Sequence, residues 1–131
     1  MKTSKEELVI REIIGPGRGD TIVFGYAIEA AEQLLFREKR YHYMGDVQVT
    51  REIYAVVAER LGRKVKSTAR QIQRMSERCW NSMDEEQKLR YIGKRELAEV
   101  TPTARDMILY LAFYCHYGMP YYQVLKREIG R

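Results

Sequence analysis

TREIYAVVAERLGRKVKSTARQIQRMSERCW, residues Thr50–Trp80, decides how the rest of this chain is read. Ile53, Val56, Val57 and Leu61 recur at helical spacing, with Glu52 and Glu59 on the opposite side. Gly62 can take the left-handed conformation that stops a helix, and a second helical pattern follows within about five residues. Ala58 is small where a second helix must come close. Two helices joined by a short Gly turn have the layout of a helix-turn-helix.

The second helix is two-sided. At about 100° per residue, Thr68, Ala69, Ile72, Met75, Ser76 and Cys79 fall within about 60° of one direction. Arg63, Ser67, Arg70, Arg74 and Glu77 lie opposite, with Lys66 and Gln73 along one edge and Gln71 and Arg78 along the other. Seven bases (Arg60, Arg63, Lys64, Lys66, Arg70, Arg74, Arg78) meet one acid, Glu77, so the stretch carries +6 within a chain of net +5. An ordinary solvated face interleaves both signs; this one does not.

That chemistry suits a DNA groove. Arg can donate two parallel hydrogen bonds to guanine, and Gln can pair in the same way with adenine. Arg70, Gln73 and Arg74 are therefore the candidate base readers. Arg63, Lys64, Lys66, Ser67 and Arg78 are the candidate backbone contacts, those near the helix start being helped by its dipole. Ile53, Val57, Ala58, Leu61, Ile72, Met75 and Trp80 are expected to hold the two helices at their angle.

Outward from this pair the chain reads as helix throughout. Residues 1–19 form an N-terminal extension, an amphipathic lead that packs or dangles, closed by the turn Gly15-Pro16-Gly17-Arg18-Gly19. Residues 20–131 form the domain. A helix over about Asp20–Arg40 is expected, capped by Asp20 or Thr21, and Gly45-Asp46 reads as a turn. Asn81, Ser82 and Asp84 mark a break before a short helix from Glu85 to Ile92, closed by Gly93. A last helix opens near Thr103, with Met107, Ile108, Leu111 and Ala112 on one face. The expected class is all-α, a compact domain of about five to six helices containing the helix-turn-helix.

The chain's 131 residues, 45% hydrophobic and 31% charged, suffice for one core. No run reaches the ~18 apolar residues of a membrane span and no signal-peptide core opens the chain, so a cytoplasmic location without membrane association is expected. Cys79, Cys115, His42 and His116 are spaced poorly for zinc, and the two cysteines read as small buried thiols. The Gly-rich turn is not followed by Gly-Lys-Ser/Thr, so it is not a phosphate loop. Glu85 and Glu86 read as first-turn acids, and His42 with Asp46 as a local pair. With no triad, metal box or nucleotide motif, the chain is expected to be no enzyme, to use no cofactor and to bind no small-molecule substrate. The aromatic residues Tyr110, Phe113, Tyr114, Tyr117, Tyr121 and Tyr122 read as packing of a final helix, with a dimer contact or stacking on single-stranded bases as alternatives.

Val49-Thr50-Arg51-Glu52-Ile53-Tyr54, then Val57-Ala58 and Leu61, resembles the first motif helix of a known family, the C-terminal output domain of stage-zero sporulation protein A. Arg70 with Ile72 and then Trp80 is similar to that family's recognition helix. Pro102-Thr103 with Asp106-Met107-Ile108 is similar to its last helix, and Phe24-Gly25-Tyr26 with Ala30 to its first. The resemblance covers roughly residues 22–115. It implies an all-helical domain of a sporulation response regulator, reading a short DNA box, with a homodimer on tandem sites. Two departures change the detail: Ala69 stands where the family has Glu, and Gln73-Arg74 where it has Arg-His. Control through an attached phosphoacceptor receiver is not expected.

These readings converge on a sequence-specific, double-stranded DNA-binding transcriptional regulator. The alternatives are an interaction module gripping an acidic protein with the same helix, and an RNA-binding protein.

Overall fold

The computed structural model describes residues 4–15, 19–38, 47–95 and 101–129. Pro16–Arg18, His42, Gly45 and Asp46, which the sequence reading assigns to turns and a local pair, lie outside the described residues. Among the described residues there are seven α-helices and no strand: α1 (Lys5–Ile14), α2 (Gly19–Glu32), α3 (Ala55–Leu61), α4 (Val65–Ser82), α5 (Glu85–Tyr91), α6 (Ala104–Tyr117) and α7 (Tyr121–Ile129). The all-α expectation holds. None of these helices is long and apolar enough to cross a membrane.

α2 and α6 form the centre, because both are apolar nearly all round and a helix of that kind must be covered on every side. Val23, Phe24, Ala27, Ile28 and Ala31 of α2 are buried, as are all residues from Met107 to Ala112 of α6. α4 and α1 pack against both. α2 starts at Gly19, so Asp20 and Thr21 fall inside its first turn, not at the cap position. It continues as a wider π-helical turn over Gln33–Arg37, in which the Glu38 N–H donates to the Gln33 carbonyl five residues back. A second π turn, Thr50–Tyr54, leads into α3, where the Ala55 N–H donates to the Thr50 carbonyl.

That π turn corrects one inward assignment. Ile53 and Val57 are buried, but Val56 is 49% exposed. A π turn advances the chain by fewer degrees per residue than an α turn, so the apolar stripe is phased on Ile53, Tyr54, Val57 and Ala58.

The N-terminal lead packs. Ser4 caps α1 by accepting from the Glu7 N–H at 3.2 Å, and Ile10 is wholly buried in the common core. Polar contacts tie α1 to distant segments: the Gln87 amide donates to the Glu12 carbonyl at 3.2 Å, the Tyr91 hydroxyl donates to the Glu12 carboxylate, and Lys5 Nζ donates to the Cys115 carbonyl at 3.4 Å. Glu6 and Glu32 are both buried where α1 crosses the end of α2, and Lys5 Nζ stands 2.9 Å from Glu32 Oε1. Burial pushes the Glu32 carboxyl up to about 7, its hydrogen bond with Glu6 adds to the rise, and Lys5 offsets part of it.

The C-terminal aromatic stretch is two helices, not one. Gly118, at φ 72°, ends α6, and Pro120 precedes the first turn of α7. Phe113, Tyr121, Tyr110 and Tyr122 meet across this joint at ring-centroid distances of 5.0 to 5.9 Å. Packing of the final helices accounts for these rings.

Candidate nucleic-acid interface

The joint between α3 and α4 is three residues, Gly62-Arg63-Lys64. Gly62 adopts φ 64° and ψ 36°, its N–H donates to Glu59 at 3.2 Å, and the Arg63 N–H donates to Ala58 at 2.9 Å. This paired bond pattern uses the last carbonyls of α3 and turns the chain sharply. α4 then packs on α3 and on the π turn before it, as well as on α1, α2 and α6.

One side of α4 enters the core: Thr68, Ile72, Met75, Ser76, Cys79 and Trp80 are buried, and Ala69 is half-buried. Burial pushes the Cys79 thiol up to about 12, so it is a packing residue and not a nucleophile. The other side faces out. Arg63, Lys64, Lys66, Ser67, Arg70, Gln73, Arg74, Glu77 and Arg78 are all exposed. Every candidate site residue is therefore exposed, Arg63 and Lys64 in the joint before α4 and the others along the helix.

Their local engagements differ. Arg63 Nη1 donates to Gln71 Oε1 at 3.1 Å, and Ser67 Oγ donates to the Lys64 carbonyl at 3.2 Å. Gln73 and the buried Tyr54 line the same cleft, which sets one candidate base reader beside the α3 side. The spacing of α4 alone could not show that neighbourhood, because Tyr54 belongs to the π turn. Among the described residues no ion pair holds Arg70 or Arg74. Arg60, at the end of α3, is by contrast committed to α2. Its guanidinium lies 3.7 Å from the Tyr26 ring centroid and 3.3 Å from Glu29.

The start of α4 has an unusual electrostatic make-up. No side chain caps it, its first turn holds no acid, and Lys64, Lys66 and Ser67 surround it. A helix N-terminus carries about half a positive charge and several N–H groups without intrahelical partners. Placing cations there is unfavourable for the helix alone and favourable for an incoming anion. α5 shows the ordinary solution. Asp84 accepts from the Gln87 N–H at 2.8 Å, Gln87 returns the bond at 3.1 Å, and Glu85 and Glu86 fill the first turn.

Beside the Gln73 and Glu77 edge of α4 lies an open cleft of about 920 Å³, lined also by Thr50, Tyr54, Thr103 and Arg105. Among the described residues no three His, Cys, Asp or Glu side chains are grouped to hold a metal ion. Comparison of the chain with protein-family models, with curated proteins and with solved structures gave no match.

Proposed function

We propose that this chain is a sequence-specific, double-stranded DNA-binding transcriptional regulator, with α3 and α4 acting as a helix-turn-helix and α4 as the recognition helix. The observation that carries the reading is the outer surface of α4. Arg70 and Arg74 project from its middle without ion pairs among the described residues, and its uncapped N-terminus is ringed by Lys64, Lys66 and Ser67. An α-helix fits the major groove, where bidentate Arg–guanine pairing supplies sequence preference and phosphate contacts supply most of the affinity.

In this arrangement Arg70 and Arg74 read base edges. Gln73 reads beside them from the edge of the helix that borders the cleft. Lys64, Lys66, Ser67, Arg63 and Arg78 hold phosphates and set the register. The sequence resemblance of residues 22–115 to a sporulation response-regulator output domain favours DNA as the ligand and a homodimer on tandem boxes.

Selection from a random duplex library, read at two salt concentrations, tests this directly. Arg70→Ala and Arg74→Ala are expected to relax the selected sequence, each by about 1–3 kcal/mol of discrimination. Lys66→Ala is expected to weaken binding to every duplex and reduce the salt slope by about one. If the double variant Arg70→Ala, Arg74→Ala binds a selected site as tightly as wild type, this surface is not the reader. Preference for hairpins or single strands would assign it to RNA instead.

A further inference from the structure

A second surface, away from the outer face of α4, carries a different chemistry. Between the end of α5 and α7 runs a groove of about 520 Å³, within the range that binding sites occupy. Its floor is built by a close backbone approach. Gly93 sits at φ 98°, and a Cβ there would meet Tyr122 Cβ at 3.1 Å and Pro120 Cβ at 3.3 Å. The Tyr122 N–H donates to the Ile92 carbonyl at 3.2 Å and fastens the two walls together. The groove is therefore a preformed part of the fold.

Two features describe what it would take. Leu89 and Leu125 line it from opposite walls, each 38% exposed, so it offers apolar side chains to a partner. Among the described residues its lining also includes Lys94 and Lys126 and no acid. Lys94 Nζ is held 4.2 Å from the Tyr122 ring centroid, which sets its charge beside the groove. Exposed Arg90 and Arg95 continue the basic character on the α5 side. A phosphate backbone would use the cations and leave the leucines wet. A peptide with apolar and acidic residues would use both, with the apolar residues supplying affinity and the rim charges selecting the partner.

We propose that the groove between α5 and α7 docks an acidic amphipathic segment of a partner protein, with apolar side chains between Leu89 and Leu125 and carboxylates on Lys94 and Lys126. This site is independent of the α4 surface, and either can fail without the other.

The test pans a library of short random peptides on the full chain, then measures the enriched peptides by fluorescence anisotropy. Enriched sequences are expected to combine Asp or Glu with Leu, Ile or Phe. Binding is expected to fall about tenfold or more in Leu125→Asp and in Lys126→Glu, and to be unchanged in the double variant Arg70→Ala, Arg74→Ala. Both substituted positions are exposed, and Leu125→Ala provides a milder second variant whose melting curve can be compared with wild type.

Failure to enrich acidic peptides would overturn the proposal, as would binders indifferent to Leu125 and Lys126. So would duplex DNA binding that Lys126→Glu weakens while Leu125→Asp leaves it intact, since the patch would then serve nucleic acid. If peptides bind only after Glu96→Lys and Glu99→Lys are introduced, the occupant is the chain's own Glu96-Leu97-Ala98-Glu99-Val100 and the proposal falls.

Discussion

Glu32→Gln should make the protein's stability less dependent on pH. Glu32 is only 7% exposed, and it shares its site with buried Glu6, with Lys5 and with the side of α6 carrying Cys115 and His116. Glu29 and Arg37 complete the charged lining of that cavity. Burial and the Glu6 hydrogen bond raise the Glu32 carboxyl from its ordinary 4.5 to about 7, against the pull of Lys5. The folded chain therefore keeps a proton, between those two values, that the unfolded chain has already lost. Stability falls as pH rises through this window and stays at the lower level above it. At about 1.4 kcal/mol per pKa unit the full effect is about 3 kcal/mol.

Glutamine does not titrate, and its amide can donate to Glu6. Denaturant unfolding of wild type and Glu32→Gln, at about pH 5 and about pH 8, isolates the group as a difference of differences. The variant should gain on wild type by roughly 2–3 kcal/mol between the two pH values. The pull of Lys5 acts only on the ionised carboxylate and is already contained in the value of about 7, so it needs no separate allowance. A change below about 0.5 kcal/mol would show that Glu32 ionises normally in the folded chain, and the buried carboxyl pair would then not be what the geometry implies.

Three further outcomes follow from the backbone and the thiols. Gly93→Ala should destabilise by about 1–3 kcal/mol through its left-handed conformation, with more from the contact with Tyr122. Gly118→Ala, at φ 72° with open space around it, should show the conformational part alone in the same melt. Thr103→Ala removes the acceptor of the Asp106 N–H at 3.2 Å and should lower stability by about 1 kcal/mol, whereas Thr103→Ser should not. Cys79 and Cys115, both pushed up to about 12 by burial, should resist alkylation in the native protein and react once it is unfolded. Labelling of Cys115 at the rate of a free thiol would contradict its placement.

Much of this architecture is legible in local pattern. Gly62, Gly93, Thr103 and the stripe Thr68–Ile72–Met75–Cys79 do in the structure what their chemistry suggests in the sequence. The exceptions have specific causes. Val56 departs from its expected inward position because a π turn changes the phase of the stripe, and nothing in residue type announces a π turn. α6 and α7 read in the sequence as one final helix, although Gly118 and Pro120 are ordinary stop and start signals, because the stretch from Tyr110 to Tyr122 is dense in aromatic residues throughout. The meeting of Gln73 and Tyr54 at one cleft joins residues of separate elements and needs three dimensions. For the site, sequence periodicity supplied the outer face of α4. The missing cap at its start became visible only once the helix boundary at Val65 was known. The groove between α5 and α7 had no local signal, since its walls meet through tertiary contact alone.

The fastening of α1 to α5 and α6 also has a consequence for biosynthesis. Its partners Gln87, Tyr91 and Cys115 lie 75 to 110 positions further along the chain. At ribosomal speeds of roughly 5–20 residues per second, α1 waits on the order of 5–20 seconds for α6 to emerge. During that wait the apolar side of α1, with Ile10 and Ile13, has no finished core to enter. α1 is thus made well before it can be fully packed, and the nascent chain carries an uncovered apolar stripe until α6 has emerged.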